Sequence, residues 1–181
     1  MIAEIGSVTP AHAVQFGFII HLFAKIETQL ETVVAGMLGS DLGTAVILIG
    51  DMNYRQKRQT VLHIHNTLGF DGKGYPEFLD ILEAVHKHAK LRNWIAHSIW
   101  VKGKRVDSIK PMQLILRSEK PVPLGHHHNE KDYTPKDLED ATRSLAALDT
   151  RLVKFIHDSG IWERVQAKIN TISSRTARPP G

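Results

Sequence analysis

Arg92, Asn93 and His97 are the side chains in this sequence whose types and spacing best suit chemistry. An imidazole titrates near neutral pH and can take or give a proton. A guanidinium presents a planar fork of donors to phosphate or carboxylate oxygens. On a helical wheel of about 100° per residue, His97 lies about 40° from Asn93, so the two share a face and reach one ligand. Arg92 lies about 140° from His97, inside the apolar stripe that Phe78, Leu82, Val85, Ala89 and Ala96 define. A guanidinium in such a stripe must meet a carboxylate, backbone carbonyls or a second subunit.

The charge around these residues is uneven. Residues 86–120 hold nine Lys or Arg against two acids, Asp107 and Glu119, which makes the segment +7. The whole chain is +4, so everything outside that segment sums to −3. A local excess of this kind suits a phosphate-bearing partner. Lys90, Lys102, Lys104 and Arg105 are the candidate phosphate contacts beside the motif.

The elements that must position these groups follow from the pattern of the 181 residues, a length that suits one domain with its own core. Thr9-Pro10 reads as a helix start, followed by helical spacing from Phe16 to Met37. A short helix is expected over Leu42 to Ile49 and a longer one from about Asn53 to Leu68. Pro76 opens the third long helix, which runs to about His97. The period then changes. Ile99-Trp100-Val101 and Gln113-Leu114-Ile115-Leu116 read as two strands joined by a basic connection containing Gly103 and Pro111. Thr134-Pro135 starts another helix with Leu138, Ala141, Leu145, Leu148, Leu152 and Phe155 inward, and a last one covers Ile161 to about Ile169. The expected fold is all-α: an up-and-down bundle of about four main helices, with a β-hairpin at about 99–117. One domain is expected over 1–171 and a flexible tail over 172–181.

Arg92-Asn93, three residues, then His97 resembles the arginine–polar–x–x–x–histidine motif of HEPN domains. These are all-helical bundles of bacterial toxins, antiviral systems and related RNA-cleaving proteins. The similarity covers about fifteen residues, including the small Ala96 before the histidine, and the hairpin after the motif departs from it. The resemblance implies that Arg92, Asn93 and His97 are catalytic. It also implies a homodimer, formed through the third-helix region, in which two motifs face one composite site. RNA is then the substrate, cleavage needs no metal or other cofactor, and an antitoxin or regulatory protein is a possible partner. On this reading Lys90, Lys102, Lys104 and Arg105 bind RNA. The alternative is a non-catalytic HEPN-like module binding RNA or protein with the same basic surface. A third reading is a partner-binding scaffold in which Arg92 and His97 are structural.

Other groups are weaker candidates. His126-His127-His128 alternate in direction and have no paired ligand segment, so a solvated loop is the expectation. His63/His65 and His86/His88 diverge by about 200° within each pair and do not chelate. Tyr54-Arg55-Gln56-Lys57-Arg58 reads as a solvated basic face, and Trp94 and Trp100 as core residues rather than base-stacking platforms. Zero cysteines exclude a thiol nucleophile and cysteine-ligated zinc. There is no phosphate-binding glycine loop, no serine elbow and no His-Glu-x-x-His. Met1–Pro10 lacks the basic start of a signal peptide, and the longest apolar run, Ala45–Ile49, is too short to span a bilayer, so a cytoplasmic protein away from membranes is expected.

Overall fold

The computed structural model describes residues 8–69, 74–112 and 131–176. Its first helix, α1 (Pro10–Leu38), begins where the sequence places it. Pro10 occupies a position that needs no N–H, and the Thr9 hydroxyl accepts from the His12 amide at 3.5 Å. Asp41 caps α2 (Leu42–Ile49) by accepting from the Thr44 amide, and Asn53 with Gln56 forms a capping box on α3 (Tyr54–Leu68). Then follow α4 (Tyr75–His97), β1 (Ile99–Lys102) and β2 (Ile109–Met112). Thr134 and Asp137 cap α5 (Pro135–Asp158) reciprocally, at 2.9 and 3.2 Å. The last helix, α6 (Ile161–Thr176), outruns the expected end near Ile169, because neither glycine nor proline occurs within it. The chain is all-α with one small hairpin after α4.

The described residues group into two units, and α1, α4 and α5 each contribute to both. The first unit takes residues 8–22, 87–112 and 131–146. Its core holds Ile19, Trp94, Trp100, Ile109, Leu138 and Leu145. The second takes residues 23–69, 74–86 and 147–176 and buries Phe23, Leu30, Phe78, Leu82, Leu152 and Ile161. There the Phe78 and Phe155 rings stack at 4.5 Å, and the Tyr54 hydroxyl donates to the Leu82 carbonyl at 2.7 Å.

Three expectations need correction. The second strand lies at Ile109–Met112, before the expected Gln113–Leu116; that run falls outside the described residues. Trp100 pairs with Pro111 and Lys102 with Ile109 in antiparallel register. The Ile109 amide donates to Tyr133, on the edge away from β1. Pro111, two residues on, points its missing N–H to that same outer edge, so the proline breaks no bond between β1 and β2. Second, the buried side of α4 changes along its length. Phe78, Leu82 and Val85 are buried, but Ala96 is exposed and the last turns bury Leu91 and Trp94 instead, at about 160–220° from Phe78. The cause is the hairpin segment: the Trp94 and Trp100 rings both meet Tyr133 edge-on, at 6.2 and 6.0 Å. Arg92 therefore does not sit in a buried apolar stripe; it is half-buried. Third, the basic run at the start of α3 is solvated only in part: Arg55 and Gln56 are exposed, but two of its residues face inward. Tyr54, Lys57 and Val61 are its inward positions, and Lys57 is buried against Glu31 of α1.

Candidate functional site

The motif residues occupy the last two turns of α4, within the first unit. Asn93 and His97 are both exposed, one helical turn apart on one face. Arg92 Nη1 donates to Asn93 Oδ1 at 3.4 Å, a long contact that leans the guanidinium toward the face the other two share. His97 is the last residue of the helix. The chain turns directly from it into β1, so the exposed imidazole and the basic hairpin are joined by a single residue, Ser98.

The four candidate phosphate contacts fare differently. Lys102 and Lys104 are exposed on the hairpin. Lys90 is exposed but lies over the Trp94 ring, its Nζ 4.4 Å from the centroid, a cation–π placement that ties it to the core. Arg105 is an anchor. Its guanidinium donates to the Asp132 carbonyl and to Asp137 Oδ2, the latter at 2.5 Å, which ties the hairpin turn to the first turn of α5. Burial opposes ionisation of Asp137, but the Thr134 amide, the Arg105 guanidinium and the Thr134 hydroxyl together hold its carboxyl below the usual range.

Asp132 completes this clamp and was not visible in the sequence as such. Its carboxylate accepts from the Lys104 amide at 2.5 Å, the Arg105 amide at 3.3 Å and the Ser108 hydroxyl at 3.4 Å. Gly103 makes room for it: a Cβ there would fall onto Ser108 Oγ and lie 3.0 Å from Asp132 Oδ2. Gly103→Ala is therefore expected to destabilise the protein by about 1–3 kcal/mol through overpacking, read as a lower midpoint in urea followed by tryptophan fluorescence. Asp107, at φ 53°, turns the chain back into β2; aspartate is among the residues that tolerate this left-handed conformation.

The remaining candidates resolve into structural roles. Trp94 and Trp100 are buried, Trp100 against Phe16 at 4.8 Å, so both serve packing. His65 stacks on Tyr75 at 3.5 Å and His86 lies 6.4 Å from Tyr54. His88 Nε2 is 3.1 Å from Ser144 Oγ, and burial pushes its imidazole below the ordinary range. That pair has the spacing of a nucleophile and its base. Ser144 sits mid-helix in α5, however, where neighbouring amides are committed to the helix and cannot form an oxyanion hole. Among the described residues no three His, Asp or Glu are grouped to hold a metal, and His126–His128 lie outside them. Likewise among them, no single helix is long and apolar enough to cross a membrane.

No family model, no curated protein and no solved structure matches this chain. What the site can do therefore rests on its own residues. These are an exposed base at a helix end, a carboxamide one turn before it, a guanidinium beside the carboxamide, and a basic hairpin that follows at once.

Proposed function

We propose that the chain is an HEPN-like, metal-independent endoribonuclease acting as a homodimer. The observation that carries this reading is the exposed Asn93–His97 face at the end of α4, with Arg92 turned toward it and the cationic hairpin attached to it. His97 takes the proton of a ribose 2′-hydroxyl. The 2′-oxygen then forms a bond to the adjacent phosphorus while the bond from phosphorus to the 5′-oxygen breaks. The products are a 2′,3′-cyclic phosphate and a 5′-hydroxyl, whose proton comes from the imidazolium of a second copy's His97 or from water. Arg92 stabilises the charge on the non-bridging oxygens as the phosphorane forms, and Asn93 orients His97 or the phosphate. Lys102 and Lys104 hold the neighbouring phosphates without reading sequence. DNA lacks the 2′-hydroxyl and is not cut. The resemblance points to toxin, stress or phage-defence roles, with a regulatory protein as partner.

RNA incubated with the purified protein and excess chelator tests this directly. Fragments ending in a 2′,3′-cyclic phosphate are the expected product. The dimer has its own test. Pairing the α4 ends of two copies around a two-fold axis supplies two histidines and two arginines to one groove. Light scattering at micromolar concentration should report twice the chain mass, and a strictly monomeric species counts against the composite site. A second reading, RNA binding without cleavage, draws on the exposed Lys102 and Lys104 of the hairpin. It predicts that RNA affinity survives His97→Ala and that no fragment forms with either protein.

A further inference from the structure

Residues 10–24 of α1 include no Asp, Glu, Lys or Arg. A helix that is apolar all round needs cover on every side. One side of these turns has it: Ile19 and Leu22 are buried, and Phe16 meets Trp100 at 4.8 Å. The other side does not. Val14 is 54% and Phe18 52% exposed, one turn apart on one ridge, and Gly17 beside them is exposed as well. Nothing within the chain accounts for Gly17. It sits in the helix interior, where glycine is costly, and a Cβ built on it meets nothing within 4 Å. A missing Cβ on an open helix face lets a neighbouring molecule come close.

The same ridge runs into a groove of about 540 Å³ between the first turns of α1 and α5, lined by Pro10, Ala11, Val14 and Pro135 among others. Lys136 and Glu139, which also line it, pair with each other at 3.4 Å. The face therefore presents a protruding ring, a gap for a ring directly beside it, and no net charge. That is a self-complementary surface. A two-fold axis passing between residues 17 and 18 sets the Phe18 ring of each copy over Gly17 of the other, and an uncharged face does not repel its own copy. We propose that two copies of this chain pair antiparallel through this face of α1, with Phe18 of each against Gly17 of the other. This deepens the homodimer reading by naming the surface that holds it, and rests on that reading only for the presence of two copies. At the α4 end, Lys102 and Lys104 of the exposed hairpin meet like charges on a second copy, a repulsion that an apolar contact elsewhere offsets.

Sedimentation equilibrium of the full chain over a range of concentrations tests the proposal. The parent chain should show a monomer–dimer equilibrium. Phe18→Glu should weaken it at least about a hundredfold, because the symmetry removes two rings from the contact at once. Phe18 is half exposed within one copy, so the far-UV circular dichroism of this variant should match the parent. Gly17→Ala gives the sharper result. At dilutions where the parent is monomeric it should raise the melting temperature, since alanine is the better helix former and its methyl enters open space. It should nonetheless weaken association at least about tenfold, because that methyl meets the ring of the second copy. A role confined to one chain does not produce these opposite effects. Ile47→Glu alters an apolar side chain of α2 that is 86% exposed and should leave association unchanged. The proposal is overturned if the parent is monomeric throughout, if Phe18→Glu or Gly17→Ala associates as tightly as the parent, or if Ile47→Glu separates the pair. RNA cleavage by the Phe18→Glu protein is scored separately: a monomer that still cuts removes the composite site and leaves the α1 contact standing.

Discussion

Replacing His97 by alanine will slow RNA cleavage by at least about a hundredfold, the lower end of what a positioned general base contributes. The far-UV circular dichroism will stay unchanged, because His97 is exposed at the very end of α4 and its side chain fills no part of the core. Arg92→Ala should lose activity as well, but it is the less clean experiment: a half-buried stem also packs, so its loss mixes catalysis with stability. Asn93→Ala is exposed and should cost less than His97→Ala, because an orienting group is only partly replaced by water. The ordering His97 before Asn93 is the sharper check. Fragment yield at fixed time, with folding verified on each variant, measures it. A His97→Ala protein that cuts RNA as fast as its parent removes the assignment.

Glu31→Ala will destabilise the second unit by about 3–5 kcal/mol, the usual cost of leaving one member of a buried ion pair alone. Lys57 Nζ lies 2.5 Å from Glu31 Oε1, and the lysine side chain is only 3% exposed. Without the carboxylate, its ammonium is left in a site with little water to replace the lost partner. The double variant Glu31→Leu/Lys57→Met should recover most of the loss, since apolar residues of similar volume remove both desolvation costs together. A single variant as stable in urea as the parent chain would mean that the ammonium reaches solvent by a small movement.

Local signals were the legible ones. Thr9-Pro10 and Thr134-Pro135 each specify a helix start through adjacent residues, and each start lies where those residues put it. The second strand was harder. Pro111 argues against a strand on propensity alone, and only the partner on the far edge of β2, Tyr133, shows that its missing N–H is harmless. Lys57 follows the same logic: the helical period makes it an inward position, but the carboxylate that admits it comes from Glu31, far away in sequence. The buried side of α4 could not be read from one stripe either, because Tyr133 and the tryptophans claim the end of that helix after the chain has gone elsewhere. At the candidate site, Arg92, Asn93 and His97 were legible by spacing. Asp132 and the anchoring role of Arg105 were not, since each acquires its meaning from a residue on another element.

The first unit draws α1's opening turns together with the end of α4, the hairpin and the first half of α5, across the whole of residues 23–86. Its assembly therefore waits on a long loop closure, whose entropic cost falls before any of its contacts can repay it. Folding should be slower than a helical chain of this size suggests, and the hairpin and α4 end should be among the last parts to gain protection from hydrogen exchange. A fragment starting after residue 22 would retain Arg92, Asn93 and His97 in full but lack Phe16 against Trp100 and Gln15 against Thr142. The motif can thus be present in a piece of this chain that has lost the support to hold it in place.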